Sequence, residues 1–75
     1  MSLEQLIRAV TAELARMGCD QITHTEGNEK SIAFLFHAPS EVTFSLPTPG
    51  WTHADMESKP SPLGLWCNLK FIKNS

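Results

Sequence analysis

The side chains best suited to chemistry in this chain are two cysteines and three histidines: Cys19, Cys67, His24, His37 and His53. A zinc site needs three or four convergent ligands, often at spacings such as C-x2-C, H-x3-H or H-E-x-x-H. None of these spacings occurs here, so only the fold could assemble a site. We therefore expect no metal and no cofactor, and we expect His24 and His37 to be exposed residues on strand faces.

Nucleophilic catalysis would need one of the cysteines beside a histidine that a third group holds in place. Cys67 lies in the apolar stretch 65–69, which favours a packing role because free cysteine is among the most buried residue types. Asp55 and Glu57 are paired carboxylates in a proline-rich segment, where solvated surface is the default. With no glycine-rich phosphate loop either, we expect that the chain is not an enzyme.

The proline-rich segment 48–62 is the strongest candidate for a contact surface. Prolines and a glycine at this density oppose regular structure, and long loops in small domains often carry function. Tryptophan is enriched at interface hot spots. The segment therefore predicts a partner-binding site composed of Trp51, His53, Asp55 and Glu57. The alternative is that Trp51 folds back and closes the end of the core.

Length and composition bound the remaining possibilities. Seventy-five residues with 41% apolar content predict one globular domain over 1–75 with a small core. A net charge of −2 is too weak to indicate nucleic-acid binding or a whole-surface DNA mimic. Two cysteines do not form a disulfide framework, and no signal-peptide pattern or apolar run of about 20 residues occurs. We expect a cytoplasmic protein without a membrane span.

The first 17 residues predict an amphipathic helix. Ser2 and Gln5 have the spacing of a capping box, and Gly18 suits the helix C-terminus. The apolar residues recur at steps of three and four, which places on one stripe Leu3, Leu6, Ile7, Val10, Leu14 and Met17. We expect this stripe to pack on a sheet.

Two runs with period-two alternation predict a β-hairpin over 31–49. Ile32, Phe34 and Phe36 share one face, and after the turn at 38–40 so do Val42, Phe44 and Leu46. A weaker strand over 19–25 would pair with the first run and complete a three-stranded antiparallel meander. The other face would carry Ala33, Leu35, His37, Glu41, Thr43 and Ser45, and its apolar residues leave room for a dimer or partner contact.

Residues 63–75 carry two competing patterns. Ser61 and Pro62 make a good helix start, and Leu65, Trp66, Leu69 and Ile72 would form a helical stripe. Alternation of Cys67, Leu69 and Phe71 with polar residues is instead typical of a strand. We favour the helix. The predicted fold is therefore α+β, with a three-stranded meander whose phenylalanine-rich face is covered by an N-terminal helix and a short C-terminal helix.

Several motifs resemble a family of small uncharacterised phage and prophage proteins. After an N-terminal amphipathic helix, the matching residues are Ile32-Ala33-Phe34, the V-x-F-x-L-P-x-P run over 42–49, Thr52-His53, Trp66 and Ile72-Lys73. The resemblance implies a phage or mobile-element origin and a helix around Trp66. It implies no activity, because the family has none to carry over.

Small size, this resemblance and the missing catalytic constellation together favour a non-enzymatic protein-binding module. We expect an inhibitor of a host defence complex, similar to an anti-CRISPR protein, that occludes a surface of a host protein or ribonucleoprotein complex. It would act in the cytoplasm of a bacterial host, as a monomer or weak dimer, without binding nucleic acid directly. The alternative is a small nucleic-acid-binding or regulatory module that uses Arg8, Arg16, Lys70 and Lys73.

Overall fold

The computed structural model describes residues 1–28, 30–54 and 56–74 of the chain. Within these ranges the fold is α+β, with one helix followed by five antiparallel strands. The elements are α1 (Leu3–Arg16), β1 (Asp20–Asn28), β2 (Ser31–Ala38), β3 (Trp51–His53), β4 (Glu57–Ser61) and β5 (Gly64–Lys73). In the same ranges, no helix is both long enough and apolar enough to cross a membrane.

Helix α1 begins at the predicted capping box. The Gln5 amide donates to the Ser2 hydroxyl, while the Gln5 side chain accepts from the Ser2 amide at 2.8 Å, so two otherwise free N–H groups are paired. The predicted stripe faces the sheet: Leu6, Val10 and Leu14 are fully buried, and the stripe's other members pack at the edge of the core. Gly18 follows with a φ of +87°, a left-handed conformation that glycine adopts without strain.

The sheet has the order β1-β2-β5-β3, and β4 pairs with β5 along the same edge as β3. Strand β5 therefore lies between β2 and the β3–β4 pair. Eight consecutive residue pairs join β2 to β5, from Ser31 opposite Ile72 to Ala38 opposite Leu65. The predicted strand at 19–25 corresponds to β1, which pairs with β2 as expected.

Three predicted elements are wrong. The proline-rich segment 48–62, predicted to lack regular structure, contains β3 and β4. The C-terminal helix, including the helix that the resemblance implied around Trp66, is strand β5. The second hairpin strand at 42–46 forms no strand; the partner of β2 is β5 instead, so the three-stranded meander is replaced by a larger sheet with different connections. The alternation at 42–46 nevertheless identified a side chain of the core correctly. Phe44 is 8% exposed, and its ring contacts the Phe71 ring edge-on at a centroid distance of 5.7 Å.

One hydrophobic core forms between α1, segment 42–46 and one face of the sheet. Strand β2 contributes Ile32, Phe34 and Phe36, as predicted, and β5 contributes the alternating residues Cys67, Leu69 and Phe71. The centroids of the Phe34 and Phe71 rings are 5.8 Å apart and the rings meet edge-to-face. This arrangement is favourable because the positive edge of one ring points at the negative face of the other. The opposite sheet face lacks such a cover within the described residues.

Candidate functional site

The four predicted partner-binding residues do not form one surface among the described residues. Trp51 is 5% exposed, and its indole Nε1 donates to the Met1 carbonyl at 2.9 Å. It closes the end of the core, which is the alternative that the sequence left open. His53 is exposed and Glu57 is exposed, while Asp55 lies outside the described residues.

A register shift separates His53 from Glu57. His53 pairs with Phe71, whereas Glu57 pairs with Asn68, so the pairing of this edge with β5 slips by one residue between them. Because side chains alternate between faces, such a slip sends the following residues to the other face. The His53 ring accordingly contacts Phe44 and Phe71 on the core side, and Glu57 shares the opposite face with Asn68.

That opposite face, here called the open face, is the side of the sheet that neither α1 nor segment 42–46 covers. Strand pairing and alternation place on it Thr23, Thr25, Ala33, Leu35, His37, Thr52, Glu57, Lys59, Trp66, Asn68, Lys70 and Ile72. Three large apolar side chains are exposed there: Leu35 is 48% exposed, Trp66 38% and Ile72 50%. Leu35 and Trp66 line one cleft, whereas Ile72 lies nearer the other end of β5. Large apolar side chains exposed on one sheet face make that face a candidate contact surface.

The centre of the open face is a shallow cleft of about 160 Å³ between β2, β5 and β4. Leu35 and Trp66 provide its apolar walls, and Glu57, Lys59 and Asn68 provide polar groups of both signs. The Trp66 ring is held by an edge-on contact with His37 at 5.3 Å. An anchored aromatic side chain beside mixed charges is the composition found at protein interfaces.

The sequence identified part of this face but not its centre. Ala33, Leu35 and His37 were expected on an uncovered face, and the structure places them there. Trp66 and Asn68 were missed because 63–75 was predicted to be helical, and Lys59 was missed because 48–62 was predicted to lack regular structure. The signal that could have found the first two is the alternation of Trp66, Asn68, Lys70 and Ile72 with the buried residues of β5.

The cysteines are poor candidates for chemistry in this structure. Cys19 is 7% exposed and Cys67 is 1% exposed. Burial raises the pKa of both thiols; the nearby Cys67 and then Asp20 raise the pKa of Cys19 further. A thiol with a raised pKa is a weak nucleophile at neutral pH because the thiolate is the reactive form.

Neither a metal site nor a single basic surface is formed by the residues that the structure describes. In the described ranges, no group of three histidine, cysteine, aspartate or glutamate side chains could hold a metal ion. Two cations of the alternative nucleic-acid hypothesis, Arg8 and Arg16, lie on α1 and pair with Glu4 and Glu13. Lys70 is on the open face, on the other side of the sheet, so these cations do not form one basic surface.

Comparison of the chain with family models, with curated proteins and with solved structures found no match. The resemblance to phage proteins therefore rests on the sequence motifs alone.

Proposed function

We propose that the protein is a binding module that acts by covering a surface of a partner protein, and that the open face makes the contact. The observation that carries this proposal is the exposure of Leu35, Trp66 and Ile72 on one sheet face whose reverse side holds the core. Occlusion requires complementarity and a few apolar anchors but no reactive group. We therefore propose the open face, and not the segment 51–57 that the sequence predicted, as the contact surface.

The charges around the open face favour a protein partner over nucleic acid. Lys59 and Lys70 are accompanied there by Glu57, and the whole chain carries a net charge of −2. Binding to a phosphate backbone gains from concentrated positive charge, whereas protein interfaces use both signs at their rims. Nucleic-acid binding remains the alternative, and affinity that falls steeply with salt concentration would support it.

The proposed class of partner is based on the sequence motifs. Resemblance to phage proteins supports a host defence complex as the target, and thus an anti-CRISPR-like inhibitor in the cytoplasm of a bacterial host. We propose a monomer or weak dimer as the active form.

The test is a phage-interference assay combined with direct binding. Bacterial strains that each carry one type of CRISPR–Cas system are infected with a targeted phage, with and without expression of this protein. We expect increased plaquing in at least one strain and binding to the purified effector complex of that system. No protection in any strain, together with no binding to any purified effector, would reject the inhibitor role.

The contact surface is tested separately on the responsive complex. Leu35→Ala combined with Trp66→Ala should weaken binding at least tenfold, because both remove apolar anchors from the open face. Arg8→Ala is the matched control, since Arg8 lies on the exposed side of α1. His53→Ala tests the segment 51–57 that the sequence predicted as the contact. Unchanged affinity in the double variant, with a loss of affinity in His53→Ala, would show that this segment makes the contact instead of the open face.

A further inference from the structure

One end of the open face contains a hydrogen-bonded chain of three side chains: Asp20, His37 and Ser61. His37 Nδ1 lies 3.2 Å from Asp20 Oδ1, and His37 Nε2 lies 3.3 Å from Ser61 Oγ. An ionised carboxylate can only accept, so the Asp20 contact places the imidazole proton on Nδ1. Nε2 is then free to accept the Ser61 hydroxyl proton, which is the arrangement of a histidine base acting on a serine.

The backbone brings these residues together through a local irregularity in β1. Thr23 pairs with Leu35, and in that register His37 would face Gln21; a shift in the pairing puts Asp20 opposite His37 instead. Gln21 takes up the irregularity with a φ of +52°, a left-handed conformation that is uncommon for a residue with a side chain. Such bulges and strained residues occur preferentially beside functional sites.

His37 is well placed to act as a base, and Asp20 is placed to orient it. The His37 side chain is 13% exposed and packs against the edge of Trp66, so its ring is held in one orientation. The Asp20 side chain is 67% exposed, and water therefore screens its charge. Asp20 should help chiefly by fixing the tautomer and position of the imidazole.

A cavity of about 190 Å³ adjoins the three side chains. Pro62, Leu63 and Trp66 give it apolar walls, and Gln21 also lines it. Its size suits a small acyl group, and the described residues that line it include no lysine or arginine that would bind an anionic one. We propose that Ser61 is a nucleophile activated by His37, and that this site accepts a small neutral acyl group from an activated ester.

The proposed reaction consumes only the ester and water. Ser61 Oγ attacks the ester carbonyl carbon as its hydroxyl proton moves to His37 Nε2, which leaves a tetrahedral oxyanion beside an imidazolium. The bond to the leaving oxygen then breaks, and that oxygen takes the proton from His37. Water, deprotonated by His37, then attacks the acyl-Ser61 ester. The bond from the carbonyl carbon to Ser61 Oγ breaks, His37 returns its proton to Oγ, and a carboxylic acid and the free serine are released.

The proposed reaction of Ser61 does not require the open face to bind a partner. It differs from the expectation that the chain is not an enzyme. The wild-type protein is incubated with p-nitrophenyl acetate, and separately with a fluorophosphonate. Modified residues are then located by peptide mass spectrometry. We expect acetyl and phosphonyl groups on Ser61 and release of p-nitrophenol above the rate without protein. Labelling of the intact wild-type chain decides the question even if a variant fails to fold.

Variants then assign the roles. Ser61→Ala should abolish labelling, His37→Gln should slow it about 100-fold, and Asp20→Asn should slow it about tenfold because the carboxylate is exposed. Ser58→Ala is the matched control, since Ser58 is an exposed serine of the same strand that shares the other sheet face with Cys67. It should react like the wild type.

Three results would overturn the proposal: no modification of Ser61, modification confined to lysines or the terminal amine, or equal rates for wild type and His37→Gln. A purely structural role for His37, which joins β1, β2 and β4 by its two hydrogen bonds, predicts the third result together with a lowered unfolding temperature.

Discussion

The indole Nε1 of Trp51 donates to the main-chain carbonyl of Met1 at 2.9 Å, and this bond joins β3 to the residue before the capping box of α1. The sequence placed Trp51 in an exposed binding loop or, alternatively, at the end of the core. The hydrogen bond and the 5% exposure show the second arrangement. In the folded state, Trp51 therefore offers almost no surface to a partner.

We expect Trp51→Phe to destabilise the fold by about 1–3 kcal/mol, because it removes a buried hydrogen bond and leaves a gap in the core. Trp66→Phe is the same chemical change at an exposed position and should cost no more than about 0.5 kcal/mol. Urea denaturation followed by circular dichroism measures both. Equal costs for the two variants would contradict the burial of Trp51.

Residues 64–73 should respond to substitution with a period of two. Leu69 is 1% exposed, and Leu69→Ala should cost about 2–5 kcal/mol. Ile72 is 50% exposed on the open face, and Ile72→Ala should cost less than about 1 kcal/mol. A helix would place Leu69 and Ile72 on one stripe, so similar losses at both positions would favour the helix over β5. The measurement is the change in denaturation midpoint at a constant slope.

The two thiols should be slow to react in the folded protein. Burial raises the pKa of Cys19 and Cys67, so few thiolates form at neutral pH and reagents have little access. We expect a disulfide reagent such as dithionitrobenzoate to react at least tenfold more slowly with native protein than with protein in urea. Rapid reaction of both thiols with the native protein would contradict their burial.

The same raised pKa values predict a loss of stability in alkali. An unfolded thiol ionises near pH 8.5, whereas the folded thiols stay protonated to higher pH, so the unfolded state loses protons first. The free energy of unfolding should therefore decrease as the pH rises above about 8.5 and through the raised values. Cys67→Ala should reduce this loss of stability in two ways. It removes the contribution of the Cys67 thiol, and it lowers the pKa of Cys19, which Cys67 raises in the wild type. Identical pH profiles for the variant and the wild type would exclude a thiol contribution.

Gly64 should tolerate no side chain. Its φ is +146°, and a β-carbon there would collide with the main-chain carbonyl oxygen of Ala38. We expect Gly64→Ala to destabilise the fold by at least about 2 kcal/mol. Gly27→Ala is the matched control: its β-carbon would meet the Ser31 hydroxyl, which can rotate away, and a cost below about 1 kcal/mol is expected. Thermal unfolding of the two variants makes the comparison.

Sequence reasoning identified the elements whose pattern is local. The α1 stripe, its capping box and the alternation of β2 each depend on residues close in sequence, and the structure confirms all three. The choice of partner for β2 depends on distant residues. Segment 42–46 has the right alternation, but β5 is long enough to pair with all eight residues of β2, and long-range pairing decided between them.

The proline-rich segment shows a second reason for failure. Pro60 was treated as a breaker, yet it lies within β4 opposite Leu65. Strand β4 pairs with β5 on one side, so a residue without an N–H is tolerated when that group would point away from the ladder. Ser61 and Lys59 were missed for this reason, because they join the open face only through the pairing of β4 with β5. Trp66 was missed because its segment was predicted to be helical.

Strand β5, the last of the described strands along the chain, lies between elements that precede it. Until residues 64–73 have been synthesised, the β1–β2 hairpin has no neighbour on its inner edge, and the phenylalanines of β2 lack their partners from β5. Folding on the ribosome should therefore be delayed until this strand emerges. Nascent chains arrested before it should stay protease-sensitive, and a chaperone would find its binding surface on β2 during that interval.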